Sequence, residues 1–328
     1  MRPSVLVRCG VLAMETVMRR FLPHRRRFLT LAATLAVALA WPAAAPAVRA
    51  QQQGQLYISV LDADNQPVTD LEPADVNVVI DDVDCKIVKL EPISKPMKLT
   101  LMVDNGPVLT KELATFRTAL KGFFEALPAD IEVSLYTINP QPRTVVKSTT
   151  DRQKLLHGVD LIAPDTGAGM FFDALVEASD RVEKDKTDHF PVLMMVASDF
   201  GRNSSAMDRD FERLQKRIVQ KAITVHFLIL HGGGDRVNSV AGALQTEVGL
   251  QVTRLSGGRY ENIAAATRLV TLLPEFAKQI AESNVRQTHQ YRITYERKDS
   301  KAPQRLSASL SRLRIGVQAK LSVDGHMP

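Results

Sequence analysis

The sequence predicts a doubly wound, mostly parallel α/β domain with a small flanking β module, and three observations carry that prediction. Apolar runs alternate with amphipathic helical patterns through the middle of the chain, the signature of strands covered by helices on both faces of a sheet. One run, Lys98-Leu-Thr-Leu-Met-Val, ends on Asp104 and passes through Asn105, Gly106 and Pro107 into a segment that spaces Leu113, Phe116, Leu120, Phe123 and Leu127 by three and four; this reads as a buried strand, a tight turn and a helix. Short alternating strands stand before residue 96 and after residue 285, and neither set alone covers its apolar faces and edges. In an open α/β sheet ligands bind outside the carboxyl ends of the strands, which is where Asp104 falls.

The first fifty residues are expected to lie outside that architecture. Arg25-Arg26-Arg27-Phe28-Leu29 precedes an apolar run up to Trp41, and Val48-Arg49-Ala50 stands before Gln51 as a small-x-small cleavage site. The layout is that of a secretory signal and resembles the twin-arginine type, so residues 1–50 are read as an export signal. The expected location is periplasmic or extracellular, with membrane attachment only if the signal stays uncleaved. The segment holds eight arginines and one glutamate, more than the whole chain's excess of +6, so residues 51–328 are close to neutral. That removes the electrostatic case for a nucleic-acid partner. Cys9 and Trp41 leave with the signal. Cys85 then has no internal disulfide partner and is expected to be a small buried hydrophobe on a strand. The cleaved protein should show tyrosine emission and no tryptophan emission.

Residues 51–95 form the expected β module, with strands at 56–61, 76–80 and 85–90 and a turn-rich stretch at 62–67. Asp81, Asp82 and Asp84 lack the alternating oxygens, the glycine and the distal glutamate of a calcium loop, so they read as a solvated hairpin. Pro92 and Pro96 mark entry to the α/β domain, residues 96–285. There strands are expected at 131–138, 144–147, 191–197, 224–230 and 259–263. Helices are expected at 151–159, 170–182, 207–221, 241–255 and 265–284, with Gly257-Gly258 as a stop signal. Residues 286–328 revert to β, with a strand at 291–295, a polar loop at 297–305, and one or two strands within 306–323. These are expected to pack with the first strands as one unit.

Enzymatic readings find no support in the motifs. His231-Gly-Gly-Gly234 has no Gly-x-Ser-x-Gly elbow to serve, and Gly167-Ala-Gly169 lacks a third glycine and a phosphate-binding lysine. His157, His189, His226 and His289 show no ligand spacing.

Asp104 with its loop, the segment Gly167-Ala-Gly-Met-Phe-Phe-Asp-Ala-Leu175, and Ser198-Asp199-Phe200-Gly201 resemble the three loops of a von Willebrand factor A domain. Residues 56–90, with Asp64-Asn-Gln-Pro-Val-Thr-Asp-Leu71, Asp75 and Asp82, resemble the β prefix of a bacterial exported family of such domains. Ser256-Gly-Gly-Arg-Tyr260 and Tyr291-Arg-Ile-Thr-Tyr295 resemble its closing segments, and the likeness spans nearly all of residues 55–320. The resemblance implies a metal-ion-dependent adhesion site, in which Asp-x-Ser-x-Ser, a threonine and a second aspartate surround magnesium. Asp104 and Asp199 match the two aspartates. The serines fall on Gly106 and Val108 and the threonine on Gly169, so three of five positions lack a side-chain oxygen.

No cofactor is therefore expected. A magnesium ion, if bound, would rest on Asp104 and Asp199, with Asn105, Thr110, Thr166 or Ser198 supplying a substitute oxygen. Without an ion the two aspartates should repel, raising the pKa of at least one unless Arg202 or the amides around Gly106 and Gly169 compensate. The implied function is a non-catalytic module that binds a protein partner through Asp104, Asn105, Gly106, Val108, Gly169, Asp199, Arg202, Asn203, Ser204 and Ser205. The alternative is a structural or assembly subunit of a cell-envelope complex that uses the edges of the β module, its loop site vestigial.

Overall fold

The computed structural model describes residues 52–167, 170–199, 208–231, 240–297, 306–310 and 320–327; the segment read as an export signal lies outside them. In chain order the strands are β1 (Gln52–Leu61), β2 (Val76–Ile80), β3 (Val83–Ile93), β4 (Met97–Val103), β5 (Glu132–Thr137), β6 (Arg143–Thr149), β7 (Phe190–Ser198), β8 (Thr224–Leu230), β9 (Tyr260–Ile263), β10 (Gln290–Arg297), β11 (Leu306–Leu310) and β12 (Lys320–Met327). The helices are α1 (Pro107–Lys111), α2 (Leu113–Ala126), α3 (Arg152–Asp160), α4 (Phe171–Lys184), α5 (Asp208–Gln220), α6 (Val240–Ser256) and α7 (Leu269–Gln287).

Six strands form a sheet in the order β6-β5-β4-β7-β8-β9. Every pair is parallel except β5 with β6, because the connection at 138–142 is too short for the crossover a parallel neighbour needs. Successive residues of β4 point to opposite faces. Leu99, Leu101 and Val103 pack with Phe116, Leu120 and Phe123 of α2 and Leu273, Phe276 and Ile280 of α7. On the other face Met102, Leu193 and Met195 meet Leu175 of α4, Leu214 and Ile218 of α5 and Val252 of α6. Each fully buried Leu or Phe in these two cores contributes about 2 kcal/mol of transfer free energy. The doubly wound fold class follows directly.

The strand order has a consequence for function. From β4 the chain winds to β5 on one side, and it later returns to place β7, then β8 and β9, on the other. The direction of winding therefore reverses between β4 and β7, and a crevice opens outside their carboxyl ends.

A second six-stranded sheet, β11-β2-β3-β10-β1-β12, is antiparallel throughout and drawn from both ends of the described chain. Leu56, Ile58, Val60, Val76, Val78, Ile80, Tyr291, Ile293 and Tyr295 form its own core. The outermost strands β11 and β12 come close together, so the sheet curls. Cys85 lies at the margin of this core, half-buried rather than buried, because it directly follows the hairpin. Burial still pushes its thiol pKa up. Asp81 and Asp82 form the β2–β3 turn with φ of 49° and 65°, between the paired residues Ile80 and Val83. Two left-handed residues make the primed turn whose twist suits a two-residue hairpin. Among the described residues no helix is long and apolar enough to cross a membrane.

Candidate functional site

β4 delivers Asp104 to the crevice and β7 delivers Ser198 and Asp199. Asp104 N–H still donates to Val196 O at 2.8 Å, so this residue is held in register with β7, and it is only 2% exposed. Its Oδ1 accepts from Gly106 N–H and from Asn139 Nδ2, each at 2.7 Å. Its Oδ2 accepts from Ser198 N–H at 3.0 Å and from the Ser198 hydroxyl. Burial pushes the Asp104 carboxyl pKa up, while the bonds from Ser198, Gly106 and Asn139 pull it back. The rise comes from loss of water and not from the repulsion between aspartates expected from the sequence.

Neighbouring loops are tied to the same point. Asn105 Oδ1 accepts from Asn139 N–H at 3.3 Å, and its Nδ2 donates to Ala163 O at 2.8 Å. Asp165 N–H donates to Asn105 O at 2.8 Å, and Asn139 Nδ2 also donates to Gly167 O at 3.1 Å. Asp199, 3% exposed, donates its N–H to Leu230 O at 3.1 Å. Its Oδ2 lies 3.1 Å from Nδ1 of His231, which directly follows β8. The ends of β4, β5, β7 and β8 and the 161–167 loop thus form one hydrogen-bonded frame.

Asp104, Asn105 and Gly106 are buried parts of this frame, and Thr166 and His231 reach further toward solvent. Val108, in α1, belongs to the apolar core with Leu109 and Phe116, its side chain largely buried. Gly169, Arg202, Asn203, Ser204 and Ser205 lie outside the described residues, so their predicted part in the site has no described geometry. Of the substitute oxygens, Ser198 is spent on Asp104 and Asn105 on its two loop partners.

Sequence reasoning missed Asn139 and gave His231 no binding role. Asn139 follows the apolar run of β5, and its place at a strand end was legible; that β5 lies beside β4 comes from the sheet pairing.

The donor set does not suit a magnesium ion. Both Asp104 oxygens accept two hydrogen bonds each from the protein, which leaves no lone pair for a cation that demands near-octahedral oxygen ligands. A Cβ built on Gly106 would stand 2.2 Å from Asn139 Nδ2 and 2.9 Å from Asp104 Oδ1, so the amide fills the space that a serine at 106 would need. Among the described residues no group of three or more His, Cys, Asp or Glu side chains could hold a metal.

No protein-family model matches the sequence, and no curated protein matches it. Solved structures do. The chain is similar to a von Willebrand factor type A protein from Catenulispora acidiphila, with 9% identity over 84% of this chain and 72% of that one and a TM-score of 0.47. It is also similar to the pilus adhesin SpaC from Lactobacillus rhamnosus GG, at 12% identity over 79% and 48% of the two chains and a TM-score of 0.46. BatB from Bacteroides thetaiotaomicron gives 12% identity over 57% and 99%, with a TM-score of 0.42. The strand order and the antiparallel edge strand show the doubly wound α/β fold class expected from the sequence.

Proposed function

We propose that this chain is an exported, non-catalytic interaction module that binds a protein partner, without a metal ion, through the loops above the carboxyl ends of β4, β7 and β8. The observation that carries the reading is the reversal of winding between β4 and β7, with Asp104, Asn139 and Ser198 stitching the surrounding loops into a rigid frame there. A rim held by its own hydrogen bonds can present loop residues to a partner at low entropic cost. Export rests on the arginine, apolar and cleavage pattern of residues 1–50. A near-neutral chain beyond it favours a protein over a nucleic acid.

The test is recovery of cross-linked partners of the exported protein from its native host, with folding checked by circular dichroism. A rim variant, Thr166→Lys with His231→Ala, should lose a specific partner by tenfold or more (about 1.4 kcal/mol). A module variant, Val83→Lys with Val88→Lys at two exposed positions of β3, should retain it. The opposite result would favour the structural-subunit reading, in which the β module makes the contacts.

A further inference from the structure

A buried carboxylate needs compensating charge or dipoles, and among the described residues Asp104 receives four hydrogen bonds from side-chain and backbone donors. Asn139 is the distinctive member of that set. It is 1% exposed, and its Nδ2 donates both to Asp104 Oδ1 and to Gly167 O. Its orientation is thereby determined, since exchanging the oxygen and nitrogen would set Oδ1 against two acceptors. The same orientation leaves Asn139 Oδ1 buried with no hydrogen-bond partner among the described residues, a costly condition for an amide oxygen. A residue that tolerates an orphaned acceptor while both of its N–H groups are used is there to donate. Gly106 makes the exclusion mutual: a serine side chain at 106 and the Asn139 amide would claim one space.

We propose that the Asn139 side-chain amide is a built-in replacement for a cation beside Asp104, closing this rim to divalent ions. The inference rests on the reading of the rim as a binding face, and it specifies how that face works: a partner is met by direct hydrogen bonds from the 163–167 loop and His231, with no shared ion. Asn139→Asp would place a second carboxylate at hydrogen-bond distance from the first, and two such groups cannot both ionise without a cation. That single change should create the ion dependence the natural chain lacks.

The experiment is thermal unfolding of the exported protein in chelator and in millimolar magnesium or manganese. The natural protein should melt at the same temperature in all three. Asn139→Asp should melt lower in chelator and recover by about 3 °C or more in manganese. A melting shift of the natural protein with either ion overturns the proposal, as does a folded Asn139→Asp that ignores both ions and pH. Should that variant fail to fold, manganese broadening of the Asn139 and Gly106 amide resonances in the natural protein decides: their persistence supports the proposal and their loss overturns it. Ion binding by the natural protein would sink this inference while leaving partner recognition standing. Partner binding that survives the rim variant would sink the functional reading while leaving the ion result intact.

Discussion

At the scale of single residues, the rim is a problem of space and of donors. Gly106→Ala should cost about 2 kcal/mol in urea unfolding, because the new methyl group would meet the Asn139 amide at 2.2 Å. Combined with Asn139→Ala, the two losses should be less than additive, since the smaller side chain vacates the contested space. A second residue-scale effect belongs to His226, buried in β8. Its Nδ1 accepts from Arg259 N–H at 3.1 Å and its ring meets Phe276 edge-on at 5.8 Å. Burial, with the nearby Arg259 charge, lowers its pKa to about 4. Above pH 6.5 the ring is neutral in both states; below it only the unfolded chain takes the proton until about pH 4. Stability should therefore fall by up to about 3 kcal/mol as pH drops through that window. His226→Gln, which keeps an acceptor for Arg259, should flatten the profile there. Asp185 acts lower down. The Thr187 N–H and hydroxyl, with Lys98, hold its carboxyl well below the usual range, so its contribution persists above about pH 3.8 and is lost only on further acidification.

At the scale of elements, two turns show what local sequence can and cannot specify. α6 ends at Ser256, Gly257 takes φ of 70°, and Gly258 N–H returns to Thr253 O at 3.0 Å. Gly257-Gly258 was legible as a stop signal because a left-handed cap favours glycine whatever surrounds it. The need for Gly258 was not legible, since it arises from Val225 of β8, whose carbonyl oxygen would stand 1.8 Å from an added Cβ. Gly257→Ala should cost about 1 kcal/mol and Gly258→Ala about 3 kcal/mol, an order that denaturant titration checks. The β2–β3 turn works in the other direction. Asp81 and Asp82 both occupy left-handed conformations, and glycine at the second position relieves that strain without disturbing the register. Asp82→Gly should stabilise the protein by about 0.5 kcal/mol.

At the scale of the whole molecule, strands from the two ends of the described chain share one curled sheet with its own core, separate from the two cores of the α/β domain. Ile293, fully buried on β10 between β1 and β3, couples those ends. Ile293→Ala should cost about 3 kcal/mol. Hydrogen exchange should quicken in β1, β3 and β10 while β4, β7 and β8 stay protected, because the two regions open as different cooperative units; uniform loosening would contradict that separation.

By itself, the sequence determined which segments are strands and which are helices, and that Asp104 and Asp199 end two buried strands. Apolar periodicity and turn residues act over a few neighbours, so β4, β7 and β8 are written where they occur. Only the tertiary structure decided that β5 lies beside β4, that β6 turns antiparallel, and that Asn139 therefore reaches Asp104 from 35 positions away. That contact depends on which strands pair, a choice made by the packing of two helical layers on a common sheet, and no local pattern around an asparagine encodes it.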